Sequence, residues 1–99
     1  MKIKLKSKVK EEKTFNYALH TLEVTDANIK DYLELIILFT PSAWHTSAWD
    51  ELMENVESAS IPHIANVKES SFDIEIDDFY GIKDLLQQFL TDNNLNYEI

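Results

Sequence analysis

The sequence contains no cysteine and no arginine, and it has a single glycine. Without cysteine, the chain has no disulfide, no thiolate zinc site and no cysteine nucleophile. One glycine argues against a glycine-rich phosphate loop or a dinucleotide fingerprint. Without arginine, the side chain best suited to bidentate phosphate recognition is missing. We therefore expect no nucleotide cofactor, and no cofactor of another kind.

Long hydrophobic runs are also absent. The longest apolar run, Leu35–Phe39, has five residues, whereas a membrane-spanning helix needs about 20. The first ten residues alternate lysine with apolar residues and lack the apolar stretch of a secretory signal. We expect a cytoplasmic protein that makes no membrane contact. The 99 residues, 44% of them hydrophobic, predict one globular domain over 1–99.

The charge is strongly negative and unevenly distributed. Eighteen carboxylates and nine lysines give a formal charge of −9. Residues 1–13 hold six lysines and two glutamates, which is +4, whereas residues 14–99 hold three lysines and sixteen carboxylates, which is −13. A polyanion is repelled by such a body, so we expect no direct nucleic-acid binding. The charge favours a basic protein as the partner.

Alternating apolar residues predict the strands. Lys2–Lys10 alternates strictly, with five lysines on one face, and predicts a half-buried strand. Lysines on an exposed edge strand also prevent edge-to-edge aggregation. A second strand is predicted over Thr14–Val24, where the apolar parity changes and indicates a bulge near His20 and Thr21. Three further strands are predicted: His63–Val67, Ser71–Ile76 and Leu95–Ile99.

Apolar residues three and four apart predict three helices. The first begins at Thr25 or Asp26 and ends near Phe39; the second begins at Thr46 or Ser47. The third helix is predicted from Asp77 or Asp78 to about Thr91. The faces expected to be buried are Ile29, Tyr32, Leu33, Ile36 and Ile37 in the first helix, Trp49, Leu52, Met53 and Val56 in the second, and Phe79, Ile82, Leu86, Phe89 and Leu90 in the third.

The resulting order of elements is ββααββαβ, which predicts the α+β class. Without the first strand and the second helix, the order is βαββαβ, the pattern of the ferredoxin-like split sheet. The predicted topology is therefore a ferredoxin-like split βαββαβ sheet with an extra N-terminal edge strand.

The carboxylates are concentrated in three places. Three of them recur at helical spacing opposite the apolar face of the second helix, two share a strand face about 6.6 Å apart, and two follow directly. We predict them as partner-binding residues: Asp50, Glu54, Glu57, Asp73, Glu75, Asp77 and Asp78. Trp44 lies outside the apolar helical pattern, in a connecting segment, and is predicted as an apolar contact residue.

No motif predicts catalysis or metal binding. The sequence has no nucleophile elbow and no HExxH pattern. Residues 73–78 lack the glycine and the final glutamate of an EF-hand loop, and the three histidines lack ligand spacing. We therefore expect neither an enzyme nor a metal site.

The favoured hypothesis is a non-enzymatic acidic inhibitor that blocks the basic nucleic-acid-binding surface of a partner such as a nuclease. Immunity proteins and phage anti-defence proteins that mimic nucleic acid act in this general way. The alternative is a structural or regulatory protein that self-associates, for example as a homodimer, through its lysine strand. Direct nucleic-acid binding by that strand is the third hypothesis.

Overall fold

Four strands of the described residues form one antiparallel sheet. The computed structural model describes residues 1–11, 16–42, 44–58 and 60–99. The strands are β1 (Lys2–Glu11), β2 (Asn16–Thr25), β3 (Pro62–Ala65) and β4 (Phe72–Asp78). They are arranged in the order β1-β2-β4-β3, and each neighbouring pair is antiparallel. The predicted turn at residues 12–13 and the first two residues of the predicted second strand lie outside the described residues.

The described part of the chain also forms three helices: α1 (Ile29–Phe39), α2 (Ala48–Asn55) and α3 (Lys83–Asp92). A capping box between Asn28 and Asp31 begins α1, a few residues later than predicted. The hydroxyl of Ser47 accepts from the Asp50 amide and caps α2, as predicted. The α+β class and the predicted order of elements are confirmed. Within the described residues, no helix is long and apolar enough to cross a membrane.

The two ends of the chain meet at the edge of the sheet. β1 is an edge strand beside β2, as predicted for the extra N-terminal strand. On its other side, Leu5 donates its amide hydrogen to the Glu98 carbonyl, and the Glu98 amide donates to the carbonyl of Ile3. The strand predicted over Leu95–Ile99 is thus reduced to a single parallel bridge between Lys4 and Glu98.

The bulge predicted in the second strand is absent. β1 and β2 pair in an unbroken register from Lys2 opposite Thr25 to Glu11 opposite Asn16. Leu22 and His20 both face the core, whereas Leu19 lies on the other face of the sheet and is only half-buried. The apolar parity changes for another reason. The strand is regular, and the polar residue His20 occupies one of its inward positions.

The core lies between the inner face of the sheet and the helices. Three aromatic rings form its centre, with centroid distances of 5.7 Å between Phe39 and Trp49, 5.2 Å between Phe39 and Phe89, and 5.3 Å between Trp49 and Phe89. The indole Nε1 of Trp49 donates to the Ser60 carbonyl at 3.0 Å. The prediction that Trp49 is buried is confirmed.

The predicted core face of α1 is partly wrong. Ile29, Leu33 and Ile37 are exposed by 71%, 51% and 53%, whereas Leu35 and Phe39 are fully buried. Seven of the eleven residues of α1 are aliphatic or phenylalanine, and they extend around more of the helix than one sheet can cover. The uncovered residues, Ile29, Leu33 and Ile37, form what we call the apolar stripe.

The third helix begins later than predicted because β4 is longer than predicted. β4 continues to Asp78, and the chain then turns through Gly81, whose φ of +78° favours glycine. Phe79 lies in this turn and is half exposed, so its predicted place in the core is wrong. The remaining predicted core residues of this helix, from Ile82 to Leu90, are buried.

Candidate functional site

The outer face of the sheet carries a row of carboxylates. Alternation along each strand directs Leu22, Ile74 and their neighbours to the core and the intervening side chains to the opposite face. Asp73, Glu75 and Asp77 occupy successive outward positions of β4, about 6.8 Å apart. We call these three residues the acidic row. The predicted pairing of Asp73 and Glu75 on one strand face is confirmed, and Asp77 joins them.

The acidic row is not neutralised by the rest of the described chain. Glu23 lies directly opposite Asp73 in the β2–β4 register, which places two like charges side by side. Lys6 pairs with Glu23, and the Asn66 amide donates to Asp73 at 2.7 Å. Among the described residues, none of the three carboxylates of the row has an ion-pair partner. Among these described residues, the row therefore has no paired counter-charge.

Lysines occupy the same outer face, along the edge strand β1. In one cross-strand line, Lys6 of β1 lies opposite Thr21 of β2, which in turn lies opposite Glu75 of β4. Two strand spacings, about 10 Å, separate the lysines from the acidic row. The outer face is therefore dipolar, with positive charge along β1 and negative charge along β4.

Asp78 does not belong to this surface. It is 4% exposed, because it occupies an inward position of β4 where the sequence predicted a helix cap. Four donors surround its carboxylate at 2.7–2.9 Å: the His20 ring and the amides of Tyr80, Gly81 and Ile82. Burial raises the pKa of Asp78, but these hydrogen bonds outweigh it and hold the pKa below its ordinary value. Its predicted role as a contact residue is therefore wrong.

The carboxylates of the second helix lie on another side of the molecule. Asp50 and Glu54 belong to α2, whose Trp49 and Met53 pack into the core against the inner face of the sheet. Glu57 follows that helix and is exposed. Because α2 covers the inner face and the acidic row lies on the outer face, the predicted contact residues divide between two surfaces.

Trp44 is 97% exposed, so the prediction that it lies outside the core is confirmed. It lies in a short loop closed by a bridge between Ser42 and His45. His45 Nε2 is 2.9 Å from the carbonyl oxygen of Ile37, which fixes this loop to the end of α1. The apolar stripe on α1 was not predicted as a surface, because its residues fit the helical pattern expected to be buried.

A second arrangement was missed because its members are far apart in the sequence. Ser7 Oγ lies 2.8 Å from His20 Nδ1, and His20 Nε2 lies 2.8 Å from Asp78 Oδ2. Ser7 and His20 are cross-strand neighbours on β1 and β2. The polar residue at an inward position of the second strand was the signal that could have indicated a buried network.

Neither metal ligands nor similarity to known proteins indicates a function. Within the described part of the chain, no three histidine, aspartate or glutamate side chains converge to hold a metal ion. Comparisons with family models, with curated proteins and with solved structures found no match to this chain. The functional argument therefore depends on the surfaces described above.

Proposed function

We propose that this protein is a non-enzymatic acidic binding module that docks onto the basic surface of a protein partner. The acidic row on the open face of the sheet is the observation that supports it most. In its specific form, the partner is a nuclease or another nucleic-acid-binding protein in the cytoplasm, whose basic surface is blocked. Immunity proteins and phage anti-defence proteins are the classes of protein that act in this way.

The position of the acidic row suits this role. β4 is hydrogen bonded on both sides, to β2 and to β3, so the spacing of its outward carboxylates is fixed before binding. A preorganised surface loses less conformational entropy on association. The opposition of Glu23 and Asp73 is unfavourable in the free protein, and a cationic partner relieves it. The formal charge of −9 accelerates encounter with a basic protein at low salt.

The other exposed residues contribute at a different surface. Four further predicted contact residues are exposed or half-buried: Trp44, Asp50, Glu54 and Glu57. They belong to α2 or flank it, on the helical side of the sheet. We propose the acidic row as the primary contact and these residues as contacts of a second surface. An exposed tryptophan is a suitable anchor because it buries a large area with little loss of conformational freedom.

The test compares three immobilised baits in lysate of the native host and of any phage or toxin-bearing rival. One is the unchanged protein, the second is Asp73→Lys with Glu75→Lys, and the third is Glu34→Lys with Glu51→Lys. Each double reversal raises the charge from −9 to −5, so the third bait controls for charge alone. Both residues of this control are exposed on α1 and α2.

We expect a basic nucleic-acid-binding protein on the first and third baits but not on the second. Moderate salt and a competing oligonucleotide should release it, because both weaken contacts between the carboxylates and a basic cleft. Equal retention by the two double variants, or retention of non-basic proteins that salt does not release, contradicts the proposal.

The dipolar outer face favours a second candidate, self-association. The lysines of β1 in one copy complement the acidic row of another. This candidate predicts a change of oligomeric state with salt, which light scattering at low and high salt tests.

A further inference from the structure

A serine, a histidine and an aspartate form a continuous hydrogen-bonded chain at one end of the inner sheet face. Both links, from Ser7 Oγ to His20 Nδ1 and from His20 Nε2 to Asp78 Oδ2, measure 2.8 Å. His20 and Asp78 are buried, with 1% and 4% exposed, whereas Ser7 is exposed. Ser7 is therefore the exposed end of the chain.

The surroundings of Asp78 determine which nitrogen of a neutral His20 ring carries the hydrogen. Its four hydrogen-bond donors favour the carboxylate, which can only accept. His20 Nε2 must therefore carry a hydrogen to donate to it. In a neutral imidazole, Nδ1 is then unprotonated, so the Ser7 hydroxyl donates to Nδ1. A serine hydroxyl held against an imidazole that is oriented by a carboxylate is the arrangement of an activated nucleophile.

We propose that Ser7 is a reactive nucleophile that takes an acyl group from an activated ester. The Ser7 oxygen forms a bond to the acyl carbon as its proton moves to His20 Nδ1. The bond between that carbon and the leaving oxygen then breaks, and the leaving group departs with the electron pair of the bond and takes the proton from His20. Asp78 acts as a positioning residue, because it holds the ring with Nδ1 towards the serine.

The ester has a place to bind next to Ser7. Ser7 lines an open groove of about 830 Å³ at the edge of the sheet, and Ile99, which is 75% exposed, supplies apolar surface for an acyl chain in it. The charged and polar residues of the groove are Lys6, Lys8, Lys83, Thr21, Glu23 and Asp73. Lys6 and Lys8 alternate with Ser7 and face outward, whereas Lys83 belongs to α3 on the inner side of the sheet. The charge of Lys83 favours the negative charge that the ester oxygen gains as the serine attacks.

This reactivity goes beyond the proposed function and does not depend on it. It requires one acylation per molecule and no turnover, so a stoichiometric binding module can have it. A protein that binds a basic partner but leaves Ser7 unmodified retains the proposed function and refutes this inference.

The experiment treats the purified protein with 4-nitrophenyl acetate or with a fluorophosphonate probe. Nitrophenolate release is followed, and the modified residue is located by peptide mass spectrometry. We expect one adduct per chain, on Ser7. Ser7→Ala should lower the labelling rate at least tenfold, whereas Ser70→Ala should leave it unchanged. Ser70 is a matched control because it is exposed and no histidine among the described residues contacts its hydroxyl.

A third variant tests the base. His20→Gln removes the unprotonated ring nitrogen, and we expect the labelling of Ser7 to slow by about a hundredfold, the usual contribution of a general base. If circular dichroism shows that this variant is unfolded, the comparison of Ser7 with Ser70 decides alone. Adducts spread over several serines and lysines, or a Ser7→Ala variant labelled as fast as the unchanged protein, overturn the inference.

Discussion

At the scale of single residues, Asp78 shows how one inward position changes the role of a carboxylate. Asp77 and Asp78 are adjacent in sequence, yet Asp77 faces outward and Asp78 is 4% exposed with four hydrogen bonds. We expect Asp78→Asn to lower the free energy of unfolding by about 1–3 kcal/mol at pH 7, because an amide cannot accept from all four donors. Urea unfolding measures this loss.

The pH dependence of that loss follows from the direction of the pKa shift. The pKa of Asp78 is lower in the folded protein than its ordinary value of 3.8, so its stabilising effect is present above pH 3.8. It disappears as the pH falls through the lower, folded value. The stability difference between the unchanged protein and Asp78→Asn should therefore shrink below pH 3.8. Asp77→Asn is the control, and we expect it to change stability by less than about 0.5 kcal/mol at pH 7. Equal losses in the two variants contradict the internal role of Asp78.

Alternation alone could not separate these two neighbours. A pair of aspartates after a strand is the usual start of a helix, and the sequence contains nothing that extends the strand through them. The pairing of Leu19 with Asp77 and of Ala18 with Asp78 extends it, and these partners are about sixty residues away in the chain. Trp44 and Trp49 were separable, because only Trp49 lies in register with the apolar face of its helix.

At the scale of elements, α1 allows a direct test of which apolar residues are structural. Leu33 belongs to the exposed stripe and Leu35 is fully buried, although they are two residues apart. Leu35→Ala should cost about 2–5 kcal/mol of unfolding free energy, because it leaves a cavity in the core. Leu33→Glu should change it by about 0.5 kcal/mol or less, since glutamate and leucine have similar helix propensities. Urea unfolding at pH 7 compares the two variants, and a large loss for Leu33→Glu contradicts the placement of the stripe.

The types of the elements followed from periodicity, but the covered face of α1 did not. The sequence correctly predicted a helix that ends at Phe39 and a strand around Ile74, because the spacing of apolar residues depends on local geometry. In α1, apolar residues point in so many directions that no periodicity distinguishes the buried side. The position of the sheet decides it, with Phe39 against Trp49 and Phe89.

At the scale of the whole molecule, the α+β class and the order of elements were predictable, but the grouping of the carboxylates was not. Whether Glu54 and Glu75 share a face depends on which side of the sheet α2 covers. The structure places them on opposite sides, with Trp49 of α2 packed in the core and Glu75 directed outward. Net charge is the same for both arrangements, so composition contains no information about it.

The dipolar outer face makes the oligomeric state of the protein a test between the two candidate functions. Two copies that each carry −9 repel one another, and this repulsion is strongest at low salt. If binding a basic partner is the function, light scattering after gel filtration should give a mass near the 11.5 kDa of one chain at both 20 mM and 500 mM NaCl. Pairing of the lysines of β1 with the acidic row of another copy predicts the opposite, a dimer at 20 mM NaCl that dissociates at 500 mM. Asp73→Lys with Glu75→Lys should abolish such a dimer, whereas Glu34→Lys with Glu51→Lys should leave it intact. A dimer with this behaviour favours self-association over binding to a basic partner.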